Sequence, residues 1–350
     1  MSDGLRYLSA SDVIAAMPPI AERLALAERT MTALVADAEL PPKIGVHPRP
    51  EGSFAHAMPA LLRPAGARAA GTGATDPVST GPASTAPAST ADDLLGIKWV
   101  TGFGENQARG LPSIHALVIV NDAATGVPTA ILDGGSITAQ RTAAVSGVAI
   151  ERFAPSRAHR AAIIGAGVQG RSHLEVVGHL LPGVDLSVYD RHPERAAALA
   201  EAARATPGIA NAEVAASARE ATGEADVVIT AASFTTPDPR GALTVEWLTP
   251  DALVVAVDYA TMVAASVARD AALFLTDERG QFLANRDAGQ FDGYPDPGAT
   301  LGEAILARTP RPPNGRVLVS HLGVGLADIV FAEAIVRRAQ AAGLGTKLEH

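Results

Sequence analysis

The stretch "SASDVIAAMPPIAERLALAERTMTALVADAEL" reads as helix. Ser9 and Ser11 are candidate caps, and Pro18-Pro19 allows a restart, since proline suits a first helical turn. The pattern then shortens: "SFAHAMPALL", "LLGIKWVTGF", "PSIHALVIVND" and "PTAILDG" have strand character, with a turn at 121–126 between the last two. Hairpin connections imply a largely antiparallel first sheet. "SITAQRTAAVSGVAIERFA" reverts to helix, with Ser136 as the candidate cap.

From residue 161 strands alternate with helices. "AAIIGAG", "DLSVYD", "AEVAAS", "ADVVITAAS", "ALVVAVD" and "ALFLTD" are the strands, and segments such as "HPERAAALAEAARA" lie between them. Alternation implies parallel strands with crossover helices, and six strands suit a doubly wound nucleotide domain. After "RPPNGRVLVSHLGVG" a last helix, "LADIVFAEAIVRRAQAAG", is expected to return to the first domain. Residues 64–93 are almost wholly Ala, Gly, Pro, Ser and Thr, and read as a mobile surface insertion. The C-terminal "KLEH" reads as a cloning-derived addition outside the fold.

The chain has 350 residues, 47% hydrophobic and 19% charged, which fits two globular domains. A net charge of −9 argues against a nucleic-acid partner, because phosphate neutralisation needs clustered Lys and Arg. With no cysteine, disulfides, thiolate metal sites and a Cys nucleophile are excluded. His47, His56, His115 and His321 lack metal-ligand spacing, so no metal is expected. The N-terminus lacks the basic and apolar regions of a signal peptide, and no apolar run has membrane-spanning length. A soluble cytoplasmic protein without a membrane partner is the expectation.

The stretch 161–173, "AAIIGAGVQGRSH", carries Gly165-x-Gly167-x-x-Gly170 between a strand and a helix. Gly165 permits the tight turn, Gly167 lets backbone approach a pyrophosphate, and Gly170 allows close helix–strand packing. Val168 and Gln169 open the helix whose free N–H groups favour the anion. Asp190 ends the next strand 20 residues after Gly170, placed to accept from ribose hydroxyls. Its charge makes NAD(H) the preferred cofactor. Arg191, with His192 and Arg195 nearby, leaves NADP(H) open.

Three basic residues of the first half lie in or beside apolar stretches: Lys43, Lys98 and Arg141. A buried cation is costly unless paired, and no acid stands nearby in sequence. A bound anion, such as an amino-acid carboxylate, would supply the partner: Arg offers a bidentate fork and Lys a point charge. Alternatively each side chain snorkels to the surface.

"ILDGGSITAQRTAAVSGVAI" followed by the glycine turn resembles the ornithine cyclodeaminase/mu-crystallin family, whose pattern is D-G-x-x-[IL]-T-x-x-R-T-A-A shortly before that turn. "AHAMPALL", "GIKWVTGF" and "GLADIVFAEAIVRRA" match further landmarks. The resemblance implies an α/β fold. A Rossmann doubly wound parallel sheet (151–315) would be inserted into an α+β substrate and dimerisation domain (1–150 plus 316–345), forming a homodimer. It further implies that Lys43, Lys98, Arg141 and the strand around Met58 hold the substrate carboxylate, with Lys98 near the reacting carbon. Thr138 and Thr142 would lie near the cofactor, and Ala231 and Ser233 would line its ribose side. Asp258 falls where the family's cyclodeaminases carry an acid, but no Pro-Gly-Lys or Glu follows it. The expected activity is therefore NAD(P)-dependent hydride transfer at the α-carbon of an amino or imino acid, as dehydrogenase, imine reductase or opine-type condensing enzyme. Lys98 or Asp258 would handle protons. Cyclodeamination with internally recycled NAD and low-turnover ligand binding are the rival readings.

Overall fold

The computed structural model describes residues 4–63, 93–233 and 241–349; the stretch 64–93 read as a mobile insertion lies outside them except for Asp93. The chain opens with a four-residue strand not expected from the sequence, β1 (Leu5–Leu8). Ser9 then caps α1 (Ala10–Ala15) in a reciprocal box with Asp12. Pro19 starts α2 (Ile20–Ala36), the expected restart. Next come β2 (Ala38–Glu39), β3 (Ile44–Val46), β4 (Phe54–Leu62), β5 (Leu94–Gly102), β6 (Ile114–Asn121) and β7 (Pro128–Asp133). Strands β4 to β7 pair antiparallel in chain order, and β1 joins β7 in parallel.

Alternation decides what each strand buries. Met58, Lys98 and Val118 stand in one row across the sheet and are all buried. Ala57, Trp99 and Leu117 form the neighbouring row on the opposite face, with Trp99 and Leu117 exposed.

Helix α3 (Gly135–Phe153) links the two halves and is buried for most of its length. Its small residues permit this. A Cβ on Gly147 would strike Leu24 of α2 and Val176 beyond the next strand. Ser136 does not cap it. The N-cap is Gly134, two residues earlier, and Asp133 Oδ1 accepts from Gly135 N at 3.0 Å.

The second sheet follows, with β8 (Arg160–Ile164), α4 (Val168–Leu180), β9 (Val184–Tyr189), α5 (Pro193–Arg204), β10 (Ile209–Val214), α6 (Ala218–Thr222), β11 (Val227–Thr230), β12 (Leu253–Ala256), α7 (Ala265–Asp270), β13 (Leu273–Thr276), α8 (Arg279–Asp287), β14 (Ala299–Thr300), α9 (Leu301–Leu306) and β15 (Val317–Ser320). All eight strands are parallel, in the order β10-β9-β8-β11-β12-β15-β13-β14. The six expected strands are all present. Val317–Ser320 enters between two of them, so the boundary read at 316 precedes a strand of this sheet. Four wholly buried residues carry no alternation to mark them.

The last helix, α10 (Gly325–Ala341), returns to the first sheet and packs on β4, β5 and β6. The chain ends in β16 (Thr346–Leu348), which pairs antiparallel with β1. Lys347 and Leu348 of "KLEH" are thus part of the fold, opposite Arg6 and Leu5. Among the described residues no helix is long and apolar enough to cross a membrane.

Candidate functional site

The glycine turn has the shape its sequence requires. Gly165 adopts φ +106°, open to glycine and strained for other residues. A Cβ there would strike the Ala231 carbonyl, and one on Gly170 would strike the Gly165 carbonyl. Around Gly167, the N-cap of α4, there is open space within 4 Å. Val168 beside it is 70% exposed. The free N–H groups of a 13-residue helix therefore face an open cradle, a fit for a pyrophosphate. Asp190 seals the turn: its Oδ2 accepts from Ala166 N at 2.7 Å and its Oδ1 from His192 N at 2.9 Å. Arg191 is exposed and turned toward His192, with Nε 3.3 Å from the ring. Ala231 N bonds to Ile164 O, which holds the end of β11 beside the turn, and Ser233 is exposed on the same rim.

The basic residues meet as expected, but their partner is a protein acid. Lys98 Nζ lies 3.0 Å and Arg141 Nε 3.3 Å from the same Asp328 Oδ1. Lys98 is 1% exposed and Asp328 fully buried. The sequence reading found no acid because Asp328 stands 230 residues from Lys98, on α10. The signal was present nonetheless: one acid within the apolar run "GVGLADIVFA".

Lys43 reaches the same cluster. Its Nζ donates to the Tyr259 hydroxyl at 2.8 Å and to the Leu322 carbonyl at 3.1 Å, and sits 5.5 Å from the centre of the Tyr259 ring. Tyr259 and Ala260 are consecutive non-glycine residues with positive φ, a backbone cost of about 1 kcal/mol or more each. That bend after β12 carries the phenol into the site. Asp277 completes the group, accepting from Leu322 N at 2.9 Å and Gly323 N at 2.7 Å.

Residues 321–325 form the wall between these groups. Gly323, at φ +79°, lies against the Arg141 guanidinium, and Gly325 lies against the backbone of Met58. Neither place has room for a Cβ.

Lys43, Lys98 and Arg141 face Asp328 and Asp277; burial raises Asp277, and Lys43 beside it opposes that rise. Burial pulls both lysines down to about 8; Asp277 opposes this at Lys43 and Asp328 at Lys98. Both are charged at neutral pH. Among the described residues the two Arg141 Nη nitrogens donate to no protein group. A guanidinium can donate two parallel hydrogen bonds to a carboxylate, which is the chemistry Arg141 offers a ligand. Asp328 Oδ2 is buried without a partner, leaving one acceptor for a donor on the same ligand.

Thr138 and Thr142 follow along α3, their hydroxyls donating to helix carbonyls at 2.6 and 2.7 Å. Asp258 stands apart. Its carboxylate accepts from Thr230 Oγ1 at 3.1 Å and from Ala232 N at 3.3 Å, fastening the end of β11 to the end of β12. Burial raises it to about 6, and none of Lys43, Lys98 or Arg141 enters its surroundings. His56 stacks on Phe54 and is pulled down to about 4 by burial and by Lys43. Among the described residues no group of His, Asp and Glu is arranged to hold a metal.

The profile of the ornithine cyclodeaminase/mu-crystallin family matches residues 73–342. The chain is 30% identical over 348 residues to a nodulation efficiency protein of Rhizobium meliloti, covering 98% of each. It is 31% identical over 250 residues to the ketimine reductase mu-crystallin of Mus musculus, covering 70% of this chain and 76% of that one. Among solved structures, the Thermococcus litoralis Δ1-pyrroline-2-carboxylate reductase, in complex with NADH and L-proline, superposes with a TM-score of 0.80 at 25% identity, covering 98% of this chain and all of the other. Glycine turn, R-T-A-A helix and returning α10 all fall within the matched region, and the chain belongs to the ornithine cyclodeaminase/mu-crystallin family.

Proposed function

We propose that this chain is an NAD(H)-dependent oxidoreductase that reduces a C=N bond at the α-carbon of an imino acid, and runs the reverse oxidation of the amino acid. The observation that carries this is the meeting of Lys43, Lys98 and Arg141 around Asp328, with Lys98 and Arg141 buried and Lys43 half-buried. Arg141 and Lys43 anchor the carboxylate, which orients the α-carbon. When bound, the dinucleotide supplies or accepts the hydride. Lys98 holds its charge near the reacting carbon and is the proton donor in this reading. Lys98 is preferred to Asp258 because it shares Asp328 with Arg141, whereas Asp258 bonds to Thr230 and Ala232. The named reductases among the relatives agree with this direction of chemistry. The absence of Pro-Gly-Lys and Glu after Asp258 favours net redox over cyclodeamination. The test is a spectrophotometric assay with a cyclic imino acid and NADH: one NADH should disappear per imine consumed. Ammonia from ornithine with a flat NADH trace would point to the cyclodeaminase instead.

Asp190 should set the cofactor. Wild type should bind NADH more tightly than NADPH in a fluorescence titration, because a 2′-phosphate would face its charge. Asp190→Ala should weaken NADH by about 1.5–3 kcal/mol and narrow the gap. Tighter NADPH binding by the wild type would assign the choice to Arg191 instead.

The same reading includes a homodimer in the cytoplasm. Its contact is the outer face of the first sheet, where Ile44, Ala57, Trp99 and Leu117 stand in one row. Ile44 is 65%, Trp99 45% and Leu117 42% exposed, an apolar row suited to a second copy. Trp99→Lys should weaken self-association by about 2 kcal/mol or more, roughly thirtyfold in Kd by sedimentation. An unchanged Kd would move the contact elsewhere.

A further inference from the structure

A chain of hydrogen bonds crosses the interior from the first turn of α4 to the end of β15. His173 Nδ1 lies 2.6 Å from the Gln169 carbonyl, and His173 Nε2 lies 2.8 Å from Ser146 Oγ. Ser146 Oγ lies 2.9 Å from His321 Nε2. All three side chains are buried, at 0%, 0% and 2% exposure.

The direction of every bond is forced. A carbonyl only accepts, so His173 Nδ1 carries a proton. Burial holds His173 neutral, pulled down to about 4, so its Nε2 is bare. That lone pair takes the single hydroxyl proton of Ser146. The hydroxyl oxygen then accepts from His321 Nε2–H. Burial, with Arg141 and His173 nearby, keeps His321 neutral as well. Its Nδ1 is therefore a bare lone pair, and that atom is buried with no hydrogen-bond partner.

Position says what the lone pair is for. His321 follows β15, its N–H bonded to the Ala256 carbonyl that ends β12. Two residues on, Gly323 touches the Arg141 guanidinium. In a doubly wound sheet, ligands bind outside these carboxyl strand ends. Ser146 lies one helical turn beyond Thr142 on α3, which places the fixed edge of the ring toward the helix and the free edge away from it.

We propose that His321 Nδ1 accepts a hydrogen bond from an N–H of the bound reactants, and that Ser146 and His173 are positioning residues that lock the accepting tautomer. This rests on the imino-acid reading given above. Two groups carry such an N–H: the protonated imine nitrogen and the nicotinamide carboxamide. A lone pair at this point rejects a keto acid of the same shape, because the keto oxygen offers no donor. It would thus help a site built for C=N to refuse C=O.

The test is long-range proton–nitrogen NMR of 15N-histidine-labelled protein, with the His321 signal assigned by its loss in His321→Asn. The ligand-free protein should show His321 protonated at Nε2 and bare at Nδ1. A proton on Nδ1 would overturn the proposal. Saturating NADH is then added, followed by the cyclic amino acid as an unreactive partner. A shift of the Nδ1 resonance with NADH alone assigns the carboxamide as donor. A shift only on adding the amino acid assigns the substrate nitrogen. No shift at either step refutes the acceptor role. Ser146→Ala, which touches no reacting atom, should mix the two tautomers; an unmixed tautomer in that variant would refute the lock. Because the tautomer is read on protein alone, its failure is distinguishable from a failure of the reductase reading, which would show as absent turnover.

Discussion

Asp328→Asn is expected to lower the free energy of unfolding by about 3–5 kcal/mol, the cost of stranding a buried charge. One carboxylate oxygen, Oδ1, serves both Lys98 and Arg141, and all three side chains lie in the interior. Removing the negative charge leaves two cations with no counter-charge in contact, where water cannot replace it. Urea unfolding should show a lower midpoint with an unchanged slope, which separates lost stability from a changed denatured state. The double variant Lys98→Met with Asp328→Asn should recover part of the loss, since one of the stranded charges goes too. A single variant within about 1 kcal/mol of wild type would mean that solvent reaches the cluster and screens it.

Lys98→Met is expected to lower kcat for imine reduction by about 10²–10⁴-fold, the range spanned by a positioned proton donor. Its fold should survive, because methionine fills the volume and Asp328 keeps Arg141. The wild-type pH profile carries the same information. Lys98 and Lys43 are both pulled down to about 8 by burial. Each is charged below that pH and neutral above it. Thus kcat/KM for the imino acid should hold on the acid side and fall as pH rises through about 8. In Lys98→Met only the shallower limb belonging to Lys43 should remain. Arg141→Ala offers the contrast: KM should rise roughly tenfold to a hundredfold through loss of the charged fork. Equal effects of both substitutions on KM alone would reduce Lys98 to a carboxylate anchor.

What the sequence made legible was local chemistry. Gly165 and Gly170 announce a turn that admits no Cβ, and the structure has the turn. Six strands were readable because helices separate them. The basic triad could be gathered because each member breaks an apolar run. What stayed hidden was pairing over distance. Asp328 meets Lys98 only because α10 returns across the first sheet, and nothing local to Lys98 records that. Tyr259 enters the site through two left-handed residues, a bend that no residue-type preference favours. Val317–Ser320 is short and wholly buried, so no alternation marks it as a strand. The four residues of β1 include Arg6 and are too few to mark a strand, and the place of Lys347 and Leu348 depends on them. Asp258 stands at the end of β12 bonded by Thr230 and Ala232, and nothing local to it in the sequence records those partners.

Hydride transfer to the α-carbon of an imino acid is the reaction proposed for the Lys43–Lys98–Arg141 site. It is tested most directly by running the reaction with NADH deuterated at the transferring position and a cyclic imino acid. One deuterium should appear at the α-carbon of each amino-acid product, with one NAD formed per product. An unlabelled product, or ammonia release from a diamino acid with no net change in NADH, would contradict it.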